Sequence, residues 1–318
     1  MKILIEIPNW LGDAVMATPA VNNVIEHFPN SSITFLGSAV SNYVFKGYPN
    51  AFKFVTNDSK KHKFRFLYLM KFARNLGEFD LAISFRRSFS SKFMMKFIRA
   101  KKKFSYSRVA HEERHLVLRY SDFISNSLNL NSTPKGLKLF YKPYFFPNKT
   151  LGLNPGATYG SAKRWYPDEF AKVALALSKE YDIVIFGGPN EVDMAGDIEK
   201  VLIENGVTNY RNLAGKTAVD ELIGFIGGLS LFITNDSGPM HIAAAFNVPT
   251  IAIFGPTDFK ETSPWQNSAS HIISKNLSCS PCMKRVCPLR HHNCMREITA
   301  SDVLKIIKRG NNVLKDKK

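Results

Sequence analysis

Asp13 lies in the segment NWLGDAVMATP (residues 9–19), directly after an apolar stretch typical of a strand. A carboxylate at the end of a strand can accept a proton from a substrate hydroxyl, as a general base does. Thr18 and Pro19 would suit the N-cap and first position of the next helix, with Gly12–Asp13 on the preceding turn. Alternatively, Asp13 itself caps the helix. The segment lacks the three-glycine dinucleotide fingerprint and the Gly-Lys-Ser/Thr of a phosphate loop. The pattern leaves both roles of Asp13 open.

A second polar segment, NPGATYGSAKRWYP (residues 154–167), follows a predicted strand and precedes a predicted helix. Its small residues allow close backbone approach to a ligand. The adjacent cations Lys163 and Arg164 could neutralise a diphosphate. The alternative is a surface loop whose Trp165 packs on the core.

The third segment, TNDSGPMHIAAA (residues 234–245), again reads as strand, turn and helix. Ser237 is predicted as the N-cap, and Gly238 leaves the backbone open. The amides at a helix start present donors and the positive end of the dipole, so an anion should bind here. A plain capped helix explains the same residues, but GPTD (residues 255–258) repeats the arrangement after the next strand. The repetition favours a phosphate site.

The elements that position these segments follow an α/β rhythm, in which short apolar strands alternate with helical patterns. Strands are predicted at residues 2–7, 32–36, 52–55, 80–85, 151–154, 183–186, 231–234 and 250–254. Helices are predicted at residues 14–27, 64–76, 89–99, 168–181, 191–205, 219–228, 239–246 and 300–308.

A Pro- and aromatic-rich connector at residues 141–147 interrupts this rhythm, and we place a domain boundary after residue 149. The chain then has two Rossmann-like domains, residues 1–149 and 150–318. Ligands of such sheets gather at the carboxyl ends of the strands, where the three polar segments fall.

The composition agrees with two globular domains. The 318 residues are 45% hydrophobic, enough to bury two cores, which excludes a disordered chain or a small disulfide-stapled scaffold. There is no uncharged apolar run of about 18 residues and no signal-peptide pattern at the N-terminus. We therefore expect a soluble, cytoplasmic protein.

The net charge of +17 is concentrated in one region. Residues 60–119 hold 17 Lys and Arg but only four acids, with aromatic residues threaded among them. Such a surface attracts nucleic acid, anionic lipid or an acidic substrate, and charge alone does not choose among them. A solvated face above core aromatics is the alternative.

All four cysteines lie within 16 residues, at Cys279, Cys282, Cys287 and Cys294. The Cys-x-x-Cys at 279–282 resembles half of a zinc knuckle, and the other cysteines with His291 and His292 could complete four ligands. A structural zinc, free thiols and a disulfide all remain open.

Taken together, these segments resemble the lipopolysaccharide heptosyltransferases of glycosyltransferase family 9. The resemblance rests on GDxxxxTP at 12–19, NPGA at 154–157, AKRW at 162–165, NDSGPMH at 235–241 and FGPTD at 254–258. It extends from residue 1 to about residue 305. The cysteine segment at 279–294 resembles the heptosyltransferase II branch in particular.

The resemblance implies a GT-B fold, with an N-terminal acceptor domain and a C-terminal nucleotide-sugar domain facing across a cleft. It implies ADP-L-glycero-D-manno-heptose as donor and the first heptose of the Kdo–lipid A inner core as acceptor. The acceptor is an anionic glycolipid of the inner membrane leaflet, so peripheral membrane association is expected. No cofactor for catalysis and no nucleic-acid partner is expected. The alternative within the family is heptosyltransferase I. The alternative suggested by the basic region is a non-catalytic module that binds RNA or an anionic membrane.

Site residues follow from the resemblance by position. Asp13 matches the catalytic base, and Lys163, with Arg164 beside it, matches the lysine that meets the diphosphate. Glu191, after GGPN at 187–190, resembles an acid that holds the ribose. The donor signature covers Asp236, Ser237, Gly238, Met240 and His241. Acceptor contacts, expected within residues 60–119 (Lys60 to Arg119), cannot be carried over.

Overall fold

The computed structural model describes residues 1–107 and 113–315, with side chains described as far as residue 309. The chain divides into two compact units, residues 1–141 and residues 142–318. The boundary predicted after residue 149 falls shortly after this division, immediately before the first strand of the second unit.

The first unit is built on five parallel strands: β1 (Lys2–Glu6), β2 (Ser32–Gly37), β3 (Ala51–Thr56), β4 (Glu78–Ser84) and β5 (Arg99–Ser105). Their order in the sheet is β3-β2-β1-β4-β5. Ile5 of the central strand pairs with Phe35 on one side and Ile83 on the other. The direction of winding reverses between β1 and β4, and ligands bind at such a switch point in open α/β sheets.

In the described part of this unit, six helices flank the sheet: α1 (Leu11–Met16), α2 (Thr18–His27), α3 (Ala39–Val44), α4 (Arg65–Asn75), α5 (Phe89–Phe97) and α6 (Leu116–Leu128), with a 3-10 turn at Ser59–Lys61. Serine side chains start two of them, since Ser38 caps α3 and Ser88 caps α5. Helices α4 and α5 pack together through Leu69 and Met94 on the sheet. This packing fixes the start of α5 beside the end of β4.

The second unit holds six parallel strands: β6 (Thr150–Asn154), β7 (Asp182–Ile185), β8 (Tyr210–Asn212), β9 (Leu231–Asn235), β10 (Thr250–Phe254) and β11 (Ser270–Ser274). Their order is β11-β10-β9-β6-β7-β8, which is the winding of a nucleotide-binding Rossmann sheet. Strands β6, β9 and β10 are buried along their whole length, as expected of a parallel sheet covered on both faces. The switch point lies between β6 and β9.

The helices of this unit are α7 (Pro167–Leu177), α8 (Val192–Glu204), α9 (Val219–Gly227), α10 (Gly238–Ala245), α11 (Phe259–Thr262), α12 (Asn293–Arg296) and α13 (Ala300–Lys315), with 3-10 turns at Ser161–Lys163 and Pro189–Glu191. Trp165 is fully buried in their core and its indole N–H donates to the carbonyl of Ile298 at 2.8 Å.

In the residues that the structure describes, no helix has the length and apolar character needed to cross a membrane.

The predicted α/β class is confirmed, and each predicted strand has a counterpart. One helix start was predicted wrongly: Thr18 is the first residue of α2 and Ala17 its N-cap, while Gly12 and Asp13 lie within α1 rather than on a preceding turn. The reason is local, because the Thr18 hydroxyl donates back to the carbonyl of Val15 at 2.7 Å. Strands β5, β8 and β11, which all lie at sheet edges, were not predicted. Strand β5 was missed because its sequence, RAKKKFS, has the charged composition of an edge strand.

Candidate active site

Asp13 occupies the first turn of α1, directly after β1 and therefore at the switch point of the first sheet. Its negative charge acts on the phenol of Tyr120, a buried residue of α6. Burial raises the pKa of Tyr120 well above its usual value, and the charge of Asp13 raises it further. Arg87 and Arg119 act on the same phenol in the opposite direction. Asp13 is thus a half-buried carboxylate in a neighbourhood that also holds two guanidinium groups.

A buried carboxylate that the sequence reasoning missed organises the same end of the sheet. Glu6, fully buried at the end of β1, accepts hydrogen bonds from the hydroxyls of Ser84, at 2.6 Å, and Ser91. It also accepts one from Arg86 at 3.0 Å. These contacts tie the residues after β4 to the central strand. An acid inside an otherwise apolar strand was the signal that could have revealed it.

In the second unit, Lys163 and Asp236 meet at the carboxyl ends of β6 and β9. The Nζ of Lys163 donates to Oδ2 of Asp236 at 2.5 Å, and the hydroxyl of Thr257 donates to the same oxygen at 2.6 Å. The ammonium group also lies 4.8 Å from the ring centre of Tyr159. The second and third polar segments and the GPTD turn after β10 therefore converge on one charged cluster. Sequence reasoning named Lys163 and Asp236 as site residues and included Thr257 only as part of the GPTD turn.

Two asparagines hold these segments in place. Asn235 accepts from the backbone N–H of Trp165 at 3.0 Å and donates to the carbonyl of Pro155 at 2.7 Å. Asn154 donates to the hydroxyl of Ser237 at 3.2 Å. Their amides span the two strands of the switch point, so the segment that carries Lys163 is fixed at both ends.

Ser237 occupies the N-cap position of α10, as predicted, but within the described residues its hydroxyl makes no cap hydrogen bond. The side-chain cap expected from the sequence is therefore wrong, because the hydroxyl is turned toward Asn154 and Thr234. Gly238, the first residue of α10, is partly exposed. The positive end of the helix dipole at this position favours an anionic ligand. Met240 packs in the core with Phe254, and His241 is buried.

Glu191 lies beneath the second polar segment. Its carboxylate accepts from the backbone N–H of Gly188 at 2.8 Å, and a Cβ added to Gly156 would fall 2.1 Å from it. The structure thus brings Glu191 against the backbone that precedes Lys163. Arg164 makes a longer contact, from its Nε to the carbonyl of Ala157 at 3.4 Å.

The basic region at residues 60–119 is heterogeneous, and residues 108–112 within it lie outside the described residues. Some of its charge is paired, since Lys101 contacts Asp80 at 2.7 Å and Arg99 contacts Glu78 at 3.2 Å. The hydrogen bond from Lys101 lowers the pKa of Asp80. Its aromatics divide between the core, as for Phe85, and the surface.

The four cysteines line one cavity of about 190 Å³, and none forms a disulfide. Burial and the three other cysteines raise the pKa of Cys294 to about 11. In residues 1–107 and 113–315, no three His, Cys, Asp or Glu side chains are already placed to hold a metal ion. His292 has both ring nitrogens engaged, with Tyr166 at 3.1 Å and the carbonyl of Ala162 at 2.8 Å.

The cysteine segment braces the charged cluster. The backbone N–H of Ala162 donates to the carbonyl of Arg285 at 3.0 Å, and the hydroxyl of Tyr159 donates to that of Met283 at 3.0 Å. The N–H of Met283 in turn donates to the carbonyl of Pro256 at 2.8 Å. One segment thus links the polar turns after β6 and β10.

Comparison with known proteins identifies the chemistry of this arrangement. The sequence model of glycosyltransferase family 9 (heptosyltransferase) matches residues 69–293. The chain belongs to glycosyltransferase family 9. It is 42% identical over 317 residues to lipooligosaccharide heptosyltransferase 2 of Campylobacter jejuni subsp. jejuni serotype O:6, a match covering 97% of this chain and 99% of that protein.

Two solved structures share the fold of this family member. The ADP-heptose LPS heptosyltransferase II of E. coli superposes with a TM-score of 0.80 at 22% identity, covering all of both chains. The E. coli heptosyltransferase WaaC with ADP superposes with a TM-score of 0.78 at 14% identity, covering 98% of this chain and all of that one. The predicted GT-B fold and the prediction of a glycosyltransferase are confirmed. The roles of individual site residues stay predictions.

Proposed function

We propose that this glycosyltransferase moves L-glycero-D-manno-heptose from ADP-heptose to the first heptose of the Kdo–lipid A inner core, with inversion at the anomeric carbon. The observation that carries the donor half is the cluster of Lys163, Asp236 and Thr257 beside the start of α10. The similarity to a lipooligosaccharide heptosyltransferase 2 at 42% identity supports the choice of acceptor.

The leaving group explains the position of Lys163 in the charged cluster. When the bond between the anomeric carbon and the diphosphate oxygen breaks, negative charge develops on ADP. Lys163 stabilises that charge together with the amides at the start of α10, where Gly238 allows close approach. Asp236 holds the ammonium group in place and is itself held by the hydroxyl of Thr257, so little reorganisation is needed during the reaction. No catalytic metal is needed in this scheme, because these groups supply the positive charge.

Asp13 activates the acceptor. Its carboxylate takes the proton from the acceptor hydroxyl as the hydroxyl oxygen bonds to the anomeric carbon. This single displacement inverts the anomeric centre. The first unit, with Asp13, is the acceptor domain, and the second is the donor domain. Glu191 holds the ribose, and Arg164, Ser237, Met240 and His241 complete the donor surroundings.

The enzyme acts at the cytoplasmic face of the inner membrane as a peripheral protein, because its acceptor is an anionic glycolipid. The cations of residues 60–119 hold acidic groups of the acceptor and of neighbouring lipids. Nucleic acid is not a partner in this proposal.

The cysteine cavity is proposed as a structural zinc site in which all four thiols close on one ion. Thiolates are the preferred ligands of structural zinc, and His292 is already committed to Tyr166 and Ala162. The ion would rigidify the segment that braces the donor site, without taking part in the reaction. Metal analysis of protein purified without chelator should find one zinc per chain, lost from Cys282→Ser. The zinc site would be contradicted if the purified protein contains no metal and either all four cysteine thiols react in a thiol titration or its mass shows a disulfide.

Product analysis tests the function directly. Purified enzyme is given ADP-heptose and inner-core acceptors that carry zero or one heptose. Transfer to the one-heptose acceptor alone is expected. Transfer only to the heptose-free acceptor would make the protein a heptosyltransferase I. No transfer, no thermal protection by ADP, and RNA binding with a steep salt dependence would favour a non-catalytic basic module.

A further inference from the structure

Helices α4 and α5 expose an unusual apolar surface at their first turns. Exposed fractions are 69% for Phe64, 44% for Phe66, 49% for Leu67 and 73% for Phe89. We call these four side chains the α4–α5 apolar patch. Large apolar side chains in water are individually common, but a group of neighbours marks an interaction surface.

The two helix starts form one surface. The ring centre of Phe66 lies 5.7 Å from that of Phe89 and 5.1 Å from that of Phe93. A hydrogen bond of 3.1 Å from Arg65 to the hydroxyl of Ser90 joins the same two turns. These ring contacts and this hydrogen bond join the first turns of α4 and α5 into one surface.

The surroundings of the patch are strongly basic. Residues 59–77 and 87–97, which contain the 3-10 turn, α4 and α5, hold nine Lys and Arg and no Asp or Glu. Lys63 lies against the ring of Phe64, and Lys92 is exposed on α5. The nearest acid along the chain, Asp58, contacts Lys61 at 3.5 Å. The patch is therefore an apolar centre with a cationic rim.

We propose that the α4–α5 apolar patch docks the protein onto an anionic lipid bilayer, with the rings and Leu67 entering the interface and the rim lysines contacting lipid phosphates. The proposal rests on the proposed function only in that its acceptor is a membrane glycolipid. Aromatic side chains favour the membrane interface, and each nearby cation adds attraction to an anionic leaflet.

A bilayer fits the patch better than nucleic acid does. Binding of single strands uses flat rings on which bases stack, whereas Leu67 contributes aliphatic surface and Phe66 is engaged edge-to-face by two neighbouring rings. The patch also adjoins the acceptor end of the first unit. Phe89 begins α5 immediately after the residues that Glu6 and Arg86 anchor at the end of β4.

Vesicle sedimentation tests the docking surface. We expect the wild type to bind vesicles of phosphatidylglycerol and phosphatidylcholine and to bind pure phosphatidylcholine far more weakly. Phe64→Ser with Phe89→Ser should weaken binding by about tenfold or more for each ring removed from the interface. Lys63→Gln and Lys92→Gln should each weaken it by about fivefold and reduce its salt sensitivity. Phe145→Ser, at an 81% exposed ring of the second unit, is the matched control and should bind as the wild type does.

Measurements of stability, ADP affinity and transfer keep this test separate from the proposed function. Melting temperature and ADP affinity should be unchanged in the Phe64 and Phe89 variants, because both rings are mostly exposed. Transfer to an acceptor lacking acyl chains should also be unchanged, while transfer to acceptor in vesicles falls. Three results would overturn the proposal: the wild type does not bind anionic vesicles, the Phe64 and Phe89 variants bind them as tightly as the wild type, or the protein binds only RNA. If the wild-type protein binds anionic vesicles but transfers heptose to none of the acceptors, the proposed function is refuted instead.

Discussion

The ammonium group of Lys163 lies 2.5 Å from a carboxylate oxygen of Asp236, and only 12% and 4% of the two side chains are exposed. These residues come from turns after different strands, β6 and β9, and are separated by 73 positions in the chain. A shielded pair of this kind costs desolvation of both ions. It holds the lysine at the end of the sheet where the nucleotide diphosphate is expected.

Lys163→Ala should lower the affinity for ADP and ADP-heptose by roughly ten- to a hundredfold, since a hydrogen bond to a charged group contributes about 1.5–3 kcal/mol. Calorimetric titration and donor kinetics measure this. Arg164→Ala should have a smaller effect, because its contact to Ala157 is longer. Equal and negligible effects of both changes would remove this segment from the donor site.

The same change leaves Asp236 buried without its cation, so Lys163→Ala should also destabilise the fold by about 3–5 kcal/mol. Adding Asp236→Asn removes the stranded charge. The double variant should recover most of the melting temperature but none of the ADP affinity. Recovery of both would mean that Lys163 acts only through the ion pair.

Asp13→Asn separates catalysis from helix stabilisation. Asn cannot take the acceptor proton, so the chemical step should fall by roughly two to four orders of magnitude in single-turnover transfer. Asp13 lies in the first turn of α1, where the interaction of its charge with the helix dipole is worth about 0.3–1 kcal/mol. Melting temperature and ADP affinity should therefore stay near the wild-type values. An active Asp13→Asn enzyme would place the base elsewhere.

Gly156→Ala tests the approach of Glu191 to the second polar segment. A methyl group there would fall 2.1 Å from the Glu191 carboxylate, so that carboxylate or the segment must move. We expect weaker nucleotide binding and a lower melting temperature. The control is Gly196→Ala in the middle of α8, where no atom lies within 4 Å of the new Cβ. It should stabilise the protein by about 0.5–1 kcal/mol. Similar losses in both variants would contradict this interpretation.

Arg86→Ala should destabilise the first unit by about 3–5 kcal/mol in denaturant unfolding, because it leaves the fully buried Glu6 without its cation. The neighbouring residue supplies the control. Arg87 is exposed, so Arg87→Ala should change stability by no more than about 0.5 kcal/mol. If the two variants proved equally stable, Glu6 would not depend on Arg86.

Local sequence determined much of what the comparisons confirm. Alternating apolar strands and helical patterns suffice for two α/β domains, because a parallel sheet needs buried strands and crossover helices. The turns after β1 and β6 carry their chemistry in contiguous residues, so Asp13 and Lys163 could be named as candidates directly, whereas Asp236 was named through the family resemblance. Strand β5 escaped because edge strands are marked by charge rather than by apolar alternation.

Tertiary structure alone decided which distant groups meet. The contact of Thr257 with Asp236, the bonds of Asn235 to Trp165 and Pro155, and the anchoring of Arg86 by Glu6 join residues 21 to 80 positions apart. The turn of the Ser237 hydroxyl away from the α10 cap likewise depends on Asn154 in the neighbouring strand. These contacts form because of the order of strands around each switch point. Neither secondary-structure propensity nor hydrophobic periodicity encodes that order. The sequence therefore specified which residue types could do the chemistry, and the packing of parallel strands specified their partners.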